Sequence, residues 1–159
     1  VLLILDDTSP GALVADKALP PSAAKLHRAL VETWPRIAGR VAFVTAGLDL
    51  VETCSTDLVV SSHACGNLTD VVLERAVSSR ARVAVLPCCH HLRSGDAGGL
   101  SGWVDRSAAI DIVRAMRLTR EGYRIWTQAI PVAITPKNRL LIGEPNAPRA
   151  CGEGPASTP

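Results

Sequence analysis

The segment 57–91 constrains the fold of this chain more than any other stretch. It contains two short apolar runs, 58–61 and 83–86, which are apolar at consecutive positions. Such runs are typical of strands buried on both faces of a parallel sheet. Apolar residues recur at helical spacing between the runs, at Val72, Leu73, Ala76 and Val77. The segment is therefore predicted to be a strand, a crossover helix and a second, parallel strand.

Polar side chains that can carry chemistry follow each apolar run. The first run is followed by His63, Ala64, Cys65 and Gly66, and the second by Cys88, Cys89, His90 and His91. Asn67, with Asp70 three residues later, is predicted to cap the helix between them. Ligands of open parallel sheets bind outside the carboxyl ends of the strands, so the two clusters are expected to be neighbours in space.

The rest of the chain continues the alternation of strands and helices. Residues 1–5 are either a short strand or the last turn of a helix, and residues 6–11 form a turn. A helix is predicted from Pro20 to Gly39, and another over 105–121 with Ile110, Val113 and Met116 facing inward. A glycine-rich loop covers 94–102. Further strands are predicted at 12–15, 41–45, 123–130 and 140–143. The last two have no helix between them and should run antiparallel.

This order predicts an α/β fold of the Rossmann-like, doubly wound kind, with a mostly parallel sheet that ends in an antiparallel strand pair. With 159 residues the chain has the length of one domain, predicted over 1–145. Residues 146–159 are rich in Pro, Gly and Ala, and we expect a disordered tail. Because the chain begins at Val1 in the middle of an apolar run, we expect it to be a fragment of a longer protein.

Composition excludes some classes of protein. The net charge is +2 and the basic residues are spread along the chain, so charge alone gives no nucleic-acid footprint. No apolar run approaches the roughly 20 residues that span a bilayer, so no membrane association is expected. Five cysteines, two of them adjacent, do not resemble a secreted disulfide framework. A reducing, cytoplasmic location is therefore predicted.

The motifs carry a resemblance to a known family. Three motifs carry it: His63-Ala64-Cys65-Gly66, then Thr69-Asp70, and later Pro87-Cys88-Cys89-His90-His91. They resemble the motifs of class I S-adenosylmethionine-dependent methyltransferases. The branch they resemble includes the eukaryotic tRNA acceptor-stem 2'-O-methyltransferase and the glutathione S-transferase C-terminal-domain-containing protein. The resemblance covers roughly residues 12–145. It implies that the first strand of the fold and its glycine-rich loop precede Val1.

The resemblance also implies residue roles. Asp16 matches the acidic residue whose carboxylate accepts hydrogen bonds from the two ribose hydroxyls of the cofactor, as a carboxylate can. Lys17 beside it is also assigned to the cofactor site. Adenine contacts are implied after the third strand of the fold, at Gly47, Leu48 and Asp49. The segment from His63 through Ala64 and Cys65 to Gly66 would line the space between the methionine end of S-adenosylmethionine and the substrate. A plain turn role is the alternative for Asp16 and for residues 47–49.

Histidine side chains are the first candidates for the catalytic residues. His90 or His91 is the best candidate general base because imidazole titrates near neutrality, and His63 and Asp70 are the other catalytic candidates. Substrate contacts are predicted at Cys89, Trp103 and Asn138. The acceptor is not identified by the sequence, and RNA is one candidate. The alternatives are an inactive domain that binds cofactor or a partner, and a zinc-binding α/β module.

A metal site is not expected from the spacing. His63, Cys65, Cys88 and His90 are zinc ligands by type, but structural zinc sites space paired ligands as C-x₂₋₄-C and H-x₃₋₅-H, which this segment lacks. The zinc deaminase signature H-x-E with P-C-x-x-C is also a poor match, because Cys65 stands where that signature has its glutamate. The sequence therefore predicts a metal-free pocket wall.

Overall fold

The structure is a computed structural model that describes residues 2–5, 8–9 and 11–147. Asp6, Asp7 and Pro10 of the predicted turn, and residues 148–159 of the predicted tail, lie outside the described residues. The chain divides into two compact units, residues 1–51 and 52–159. None of the described helices is both long and apolar enough to cross a membrane.

The first unit contains a two-stranded parallel sheet. Its elements are the short helix α1 (Leu2–Leu5), β1 (Ala12–Asp16), α2 (Pro21–Thr33), a 3₁₀ turn (Pro35–Ile37), β2 (Val41–Thr45) and a second 3₁₀ turn (Leu48–Leu50). β1 and β2 pair in register from Ala12 opposite Val41 to Asp16 opposite Thr45. Of the two alternatives predicted for the start of the chain, the helical one is correct for Leu2–Leu5.

Helix α2 ends earlier than predicted. It stops at Thr33 instead of continuing to Gly39, and Trp34 has φ −129° and ψ 81°, outside the helical region. Pro35 explains the difference, because a proline ring clashes with a helical conformation of the preceding residue. The chain resumes as a 3₁₀ turn over Pro35–Ile37, in which Ile37 is buried.

The second unit contains the sheet predicted from the central segment. Its elements are β3 (Leu58–Ser61), α3 (Asn67–Ser79), β4 (Arg82–Val85), a 3₁₀ turn (Leu100–Gly102), α4 (Arg106–Arg120), β5 (Tyr123–Ala129) and β6 (Arg139–Pro145). The strand order is β3-β4-β6-β5, with β3 and β4 parallel and the other pairs antiparallel. The predicted order of elements, the parallel pair β3–β4 and the antiparallel pair β5–β6 are confirmed. The prediction of a mostly parallel sheet was wrong for this sheet, because β6 lies between β4 and β5 and makes two of its three strand pairs antiparallel.

Both helices of this unit pack on the sheet through one face. α3 buries Val72, Leu73 and Ala76, as predicted. On α4, the prediction that Met116 faces inward was wrong, because 48% of Met116 is exposed. The buried stripe runs through Ile110, Arg114 and Leu118 at a spacing of four. The arginine was not expected inside, and it is accommodated because carboxylates pair with its guanidinium.

The two helices begin differently. Asp105 caps α4, and its side chain accepts a hydrogen bond from the Ala108 amide at 3.1 Å. The predicted cap of α3 was wrong: Gly66 occupies the N-cap position, and no side chain caps the helix. Asp70 instead pairs with Arg114.

Candidate functional site

The loops that follow β3 and β4 lie side by side, as the sequence predicts. Ser61 is opposite Val85 in the parallel register. The Leu86 amide donates a hydrogen bond to the Ser61 carbonyl at 2.9 Å, and the Gly66 amide donates to the Cys89 carbonyl at 2.9 Å. These backbone hydrogen bonds bring the segment 63–66 and the segment 88–91 together at one edge of the sheet.

Three cysteines converge where the two loops meet. The sulfur atoms of Cys65 and Cys88 are 3.2 Å apart, and the sulfurs of Cys65, Cys88 and Cys89 all lie within 4.8 Å of one another. Cys88 is buried, whereas Cys65 and Cys89 are exposed. The sequence predicts that these cysteines lie together as a pocket wall, and the structure brings all three sulfur atoms within 4.8 Å of one another.

The thiols of Cys65 and Cys88 have different pKa values. Hydrogen bonds from Cys65 and then from His63 lower the pKa of Cys88 from its usual 9.0 to about 7. The hydrogen bond to Cys88 raises the pKa of Cys65 to about 11. Cys88 is therefore the first of the pair to ionise, and the Cys65 thiol donates to the resulting thiolate.

Gly66 allows the two loops to approach closely. Its φ is +58°, a backbone conformation that residues with a Cβ rarely adopt. A Cβ at this position would lie 2.1 Å from Cδ2 of His91, far closer than a carbon–carbon van der Waals contact. Any other residue at position 66 would therefore both strain the backbone and displace His91, which is exposed.

His90 faces away from this exposed edge. Its Nε2 atom is 2.7 Å from Oδ1 of Asp111 on α4, and its side chain is 4% exposed. The other Asp111 oxygen accepts from Nε of Arg139 at 2.8 Å, and Arg114 donates to Oδ1 at 3.3 Å. His90 and His91, equivalent in the sequence, thus differ sharply in accessibility. Asp111 was missed, because an Asp and an Arg three residues apart on a helix usually form a surface pair.

Asp70 forms a two-point ion pair with Arg114. Nε and one terminal nitrogen of the guanidinium each lie 2.9 Å from a different Asp70 oxygen, and that terminal nitrogen also donates to the Gly66 carbonyl at 2.9 Å. Burial by itself lowers the pKa of Arg114, but Asp70 and Asp111 outweigh this effect and raise it overall. Both Asp70 oxygens are occupied by this pair.

A small cavity lies beside this ion pair. Its volume is about 200 Å³, and its lining includes Gly66, Asn67, Asp70, His91, Gly95 and Arg114. It is partly polar and borders the exposed His91 ring, so a polar group of a ligand could reach that imidazole from it.

The residues predicted to bind ribose and adenine lie in the first unit. Asp16 is at the end of β1, and its Oδ1 atom accepts a hydrogen bond from the Ala18 amide at 3.1 Å. A Cβ on Gly47 would lie 2.3 Å from a carboxylate oxygen of Asp49 and 3.5 Å from Cε of Lys17. Lys17, Gly47 and Asp49 are therefore close together, and Leu48 begins the adjacent 3₁₀ turn. A larger cavity of this unit, about 710 Å³, is lined by α2 and Phe43 and by none of these residues.

The predicted substrate residues have different environments. Cys89 belongs to the thiol cluster. Trp103 follows the 3₁₀ turn Leu100–Gly102 and is 87% exposed. Asn138 closes the β5–β6 connection: its side-chain amide donates to the Ile130 carbonyl at 2.7 Å, and its own carbonyl accepts from the Ile130 amide at 2.8 Å. Those hydrogen bonds give Asn138 a structural role at the turn.

Comparison with known proteins supports a methyltransferase. Residues 17–95 match a family described as a methyltransferase domain, over a range that contains both loops of the thiol cluster. A glutathione S-transferase C-terminal domain-containing protein of Xenopus laevis is 42% identical over 139 residues, an alignment that covers 65% of this chain and 22% of the relative. The chain thus spans about a fifth of that relative's length. No solved structure matches. The mixed α/β fold, with parallel and antiparallel strands, is consistent with this assignment.

Proposed function

We propose that the chain is the cofactor-binding and methyl-transfer part of an S-adenosylmethionine-dependent methyltransferase. The observation that carries this proposal is the match of residues 17–95 to a methyltransferase domain, because that range includes the segments 63–66 and 88–91 at the sheet edge where such sheets bind ligands. We also propose that the domain has the doubly wound sheet of class I methyltransferases. The acceptor is a hydroxyl or nitrogen group, and RNA is the acceptor we would try first.

The residues of the first unit fit the sugar and base of such a cofactor. Asp16 is exposed at the carboxyl end of a parallel strand, and the hydrogen bond from Ala18 engages one of its two oxygens. A carboxylate has about four lone-pair sites, which leaves room for two ribose hydroxyls. Gly47, Leu48 and Asp49 are the adenine contacts in this proposal.

The residues of the second unit fit the reacting end. S-adenosylmethionine, when bound, supplies a methyl group on a sulfonium, and transfer then depends mainly on how the acceptor is positioned. His63, Ala64, Cys65 and Gly66 form the wall of this region. We assign proton removal from the acceptor to His91, because its ring is exposed beside the small cavity. His90 orients the loop through Asp111, since its ring is nearly buried.

Calorimetric titration of S-adenosylhomocysteine into the full-length protein tests the cofactor assignment. We expect binding that Asp16→Ala weakens at least about tenfold, the cost of a lost hydrogen bond to a charged group. Glu32→Ala is the matched control, because Glu32 is an exposed carboxylate of the same unit, on α2. Absence of binding would refute the cofactor class, and equal affinity of the Asp16 and Glu32 variants would remove Asp16 from the site.

Transfer of labelled methyl groups tests the catalytic assignment. With radiolabelled S-adenosylmethionine and total cellular RNA, we expect ribonuclease-sensitive label, which His91→Ala abolishes without loss of S-adenosylhomocysteine binding. Label that resists ribonuclease would reject RNA as the acceptor. Normal transfer by His91→Ala would return the role of base to His90 or His63.

A further inference from the structure

We propose that the thiolates of Cys65, Cys88 and Cys89 form a zinc site. This inference shares Cys65 with the pocket wall of the methyltransferase proposal but does not rest on that proposal, and it replaces the expectation of a metal-free pocket wall. It depends on the convergence of three sulfur atoms from two loops, which are within 4.8 Å of one another.

The distances suit a tetrahedral ion. With zinc–sulfur bonds of about 2.3 Å and tetrahedral angles, coordinated sulfurs lie about 3.8 Å apart. The Cys65–Cys88 separation is 3.2 Å, and the full set falls within 4.8 Å, so movements of well under 1 Å bring all three sulfurs to bonding distance. Three cysteine thiolates supply three of the four tetrahedral positions of a zinc ion.

The backbone holds these ligands in place before any ion binds. The Gly66 amide, adjacent to Cys65, donates to the Cys89 carbonyl, and the Leu86 amide donates to the Ser61 carbonyl. Both loops also continue directly from paired strands, so their freedom is small. Cys65 and Cys89 are exposed, which gives an ion a path from solvent to the buried Cys88.

The usual spacing rule does not count against this site. Ligand pairs spaced as C-x₂₋₄-C come from one short loop that wraps the ion. Here Cys65 follows β3, and Cys88 and Cys89 follow β4, so the sheet supplies the geometry that a single loop supplies elsewhere. Each coordinating thiol gives up its proton to the buffer when the ion binds. The bound ion would join the two loops on either side of Gly66.

Metal content of the purified full-length protein is the first test. We expect about one zinc per chain, as for a structural site, and replacement by Co²⁺ with strong visible absorption and a thiolate-to-metal charge-transfer band. Cys65→Ser and Cys89→Ser should each lose most of the metal and the charge-transfer intensity. Cys54→Ser is the matched control, because Cys54 lies in the same unit but outside the cluster, 3.0 Å from the Thr56 hydroxyl.

Folding controls keep this test decisive. Cys65 and Cys89 are exposed, so serine at either position should leave the circular dichroism spectrum unchanged, and buried Cys88 is not needed for the conclusion. A chelator should lower the thermal midpoint of the wild type but not that of Cys65→Ser. Protein without zinc that gives no charge-transfer band with Co²⁺, or a Cys65–Cys88 disulfide in place of metal, would overturn the site. Calorimetric titration with S-adenosylhomocysteine tests the methyltransferase proposal separately from the zinc site.

Discussion

At the scale of single residues, Asp111 connects three side chains of the second unit. It accepts hydrogen bonds from Arg139 and Arg114 and contacts His90, and its side chain is 12% exposed. Arg114 and His90 are even less exposed, at 5% and 4%. Removing a carboxylate at such a position leaves buried donors without their acceptor, which costs more than the intact pair contributes.

We therefore expect Asp111→Ala to lower the free energy of unfolding by about 3 kcal/mol. Urea denaturation measures this as a shift of the midpoint at constant slope. Glu74→Ala is the control: Glu74 also pairs with an arginine of α4, but both side chains are more than half exposed, so its loss should cost less than about 1 kcal/mol. Equal effects of the two substitutions would contradict the network.

The thiol pair makes a second residue-scale prediction, for the reduced and metal-free protein. Because the pKa of Cys88 is lowered to about 7 by Cys65 and His63, one thiolate should form near neutral pH. The rate of alkylation as a function of pH should show this inflection, and Cys88→Ser should lose it. His63→Ala should move it upward, because the second hydrogen-bond partner of the thiolate is then gone. An inflection only near pH 9 would contradict the hydrogen bonding.

At the scale of elements, Tyr123 connects the start of β5 to the end of α3. Its single hydroxyl proton is shared between the carbonyls of Ala76 and Ala81, which lie 2.8 and 2.9 Å from the phenol oxygen, and the residue is 2% exposed. Tyr123→Phe leaves both carbonyls without this donor, so we expect a loss of about 1 to 2 kcal/mol in the free energy of unfolding. Thr127→Val, an exposed hydroxyl deletion on the same strand, should change it by less than about 0.5 kcal/mol.

The same tyrosine predicts a dependence on alkaline pH. Burial raises the pKa of Tyr123 above its usual 10. The unfolded chain then releases the phenol proton at lower pH than the folded chain, so this contribution is complete below about pH 10 and is lost as pH rises further. Chemical denaturation at pH 8 and above pH 10 should therefore show a steeper loss for wild type than for Tyr123→Phe. If the wild type and Tyr123→Phe lose the same stability between these pH values, groups other than Tyr123 cause the effect.

The elements of the second unit could be predicted because local pattern and fold agree there. Consecutive apolar residues gave β3 and β4, and the absence of a helix between the last two strands gave their antiparallel pairing. Errors arose where a contact distant in sequence decided the outcome. Asp70 resembles a capping residue but pairs with Arg114, 44 positions away, and that arginine takes the inward place expected to be apolar.

The candidate site likewise has features that could be predicted from the sequence and features that could not. Neighbouring loops followed from the topology rule for parallel sheets, so His63, Cys65, Cys88 and Cys89 could be grouped from the sequence. The sequence could not show which of the two adjacent histidines is exposed, because that depends on the contact between Asp111 of α4 and His90. The three-sulfur cluster was also beyond a spacing rule, since it depends on the register of β3 against β4.

At the scale of the whole molecule, the two units differ in how much they bury. Most of the buried apolar residues described belong to residues 52–147, whereas the first unit contributes Leu3 and Ile37. The sheet of the first unit has two strands, and it leaves Leu13 54% and Phe43 36% exposed. A two-stranded sheet with open apolar faces is marginally stable by itself. The strands β1 and β2 should therefore open far more readily than β4 and β6.

Hydrogen exchange measured by mass spectrometry tests this difference in one experiment. We expect amides of β1 and β2 to exchange at least about tenfold faster than those of β4 and β6, which corresponds to a difference in opening free energy of about 1.4 kcal/mol or more. Saturating S-adenosylhomocysteine should slow exchange in β1 and β2, because a ligand held by Asp16 stabilises only the closed form of that strand end. Peptides of β5 are the internal reference, since they contain no proposed cofactor contact. Equal protection of the two sheets would contradict the stability argument, and unchanged exchange in β1 and β2 at saturation would contradict the role of Asp16.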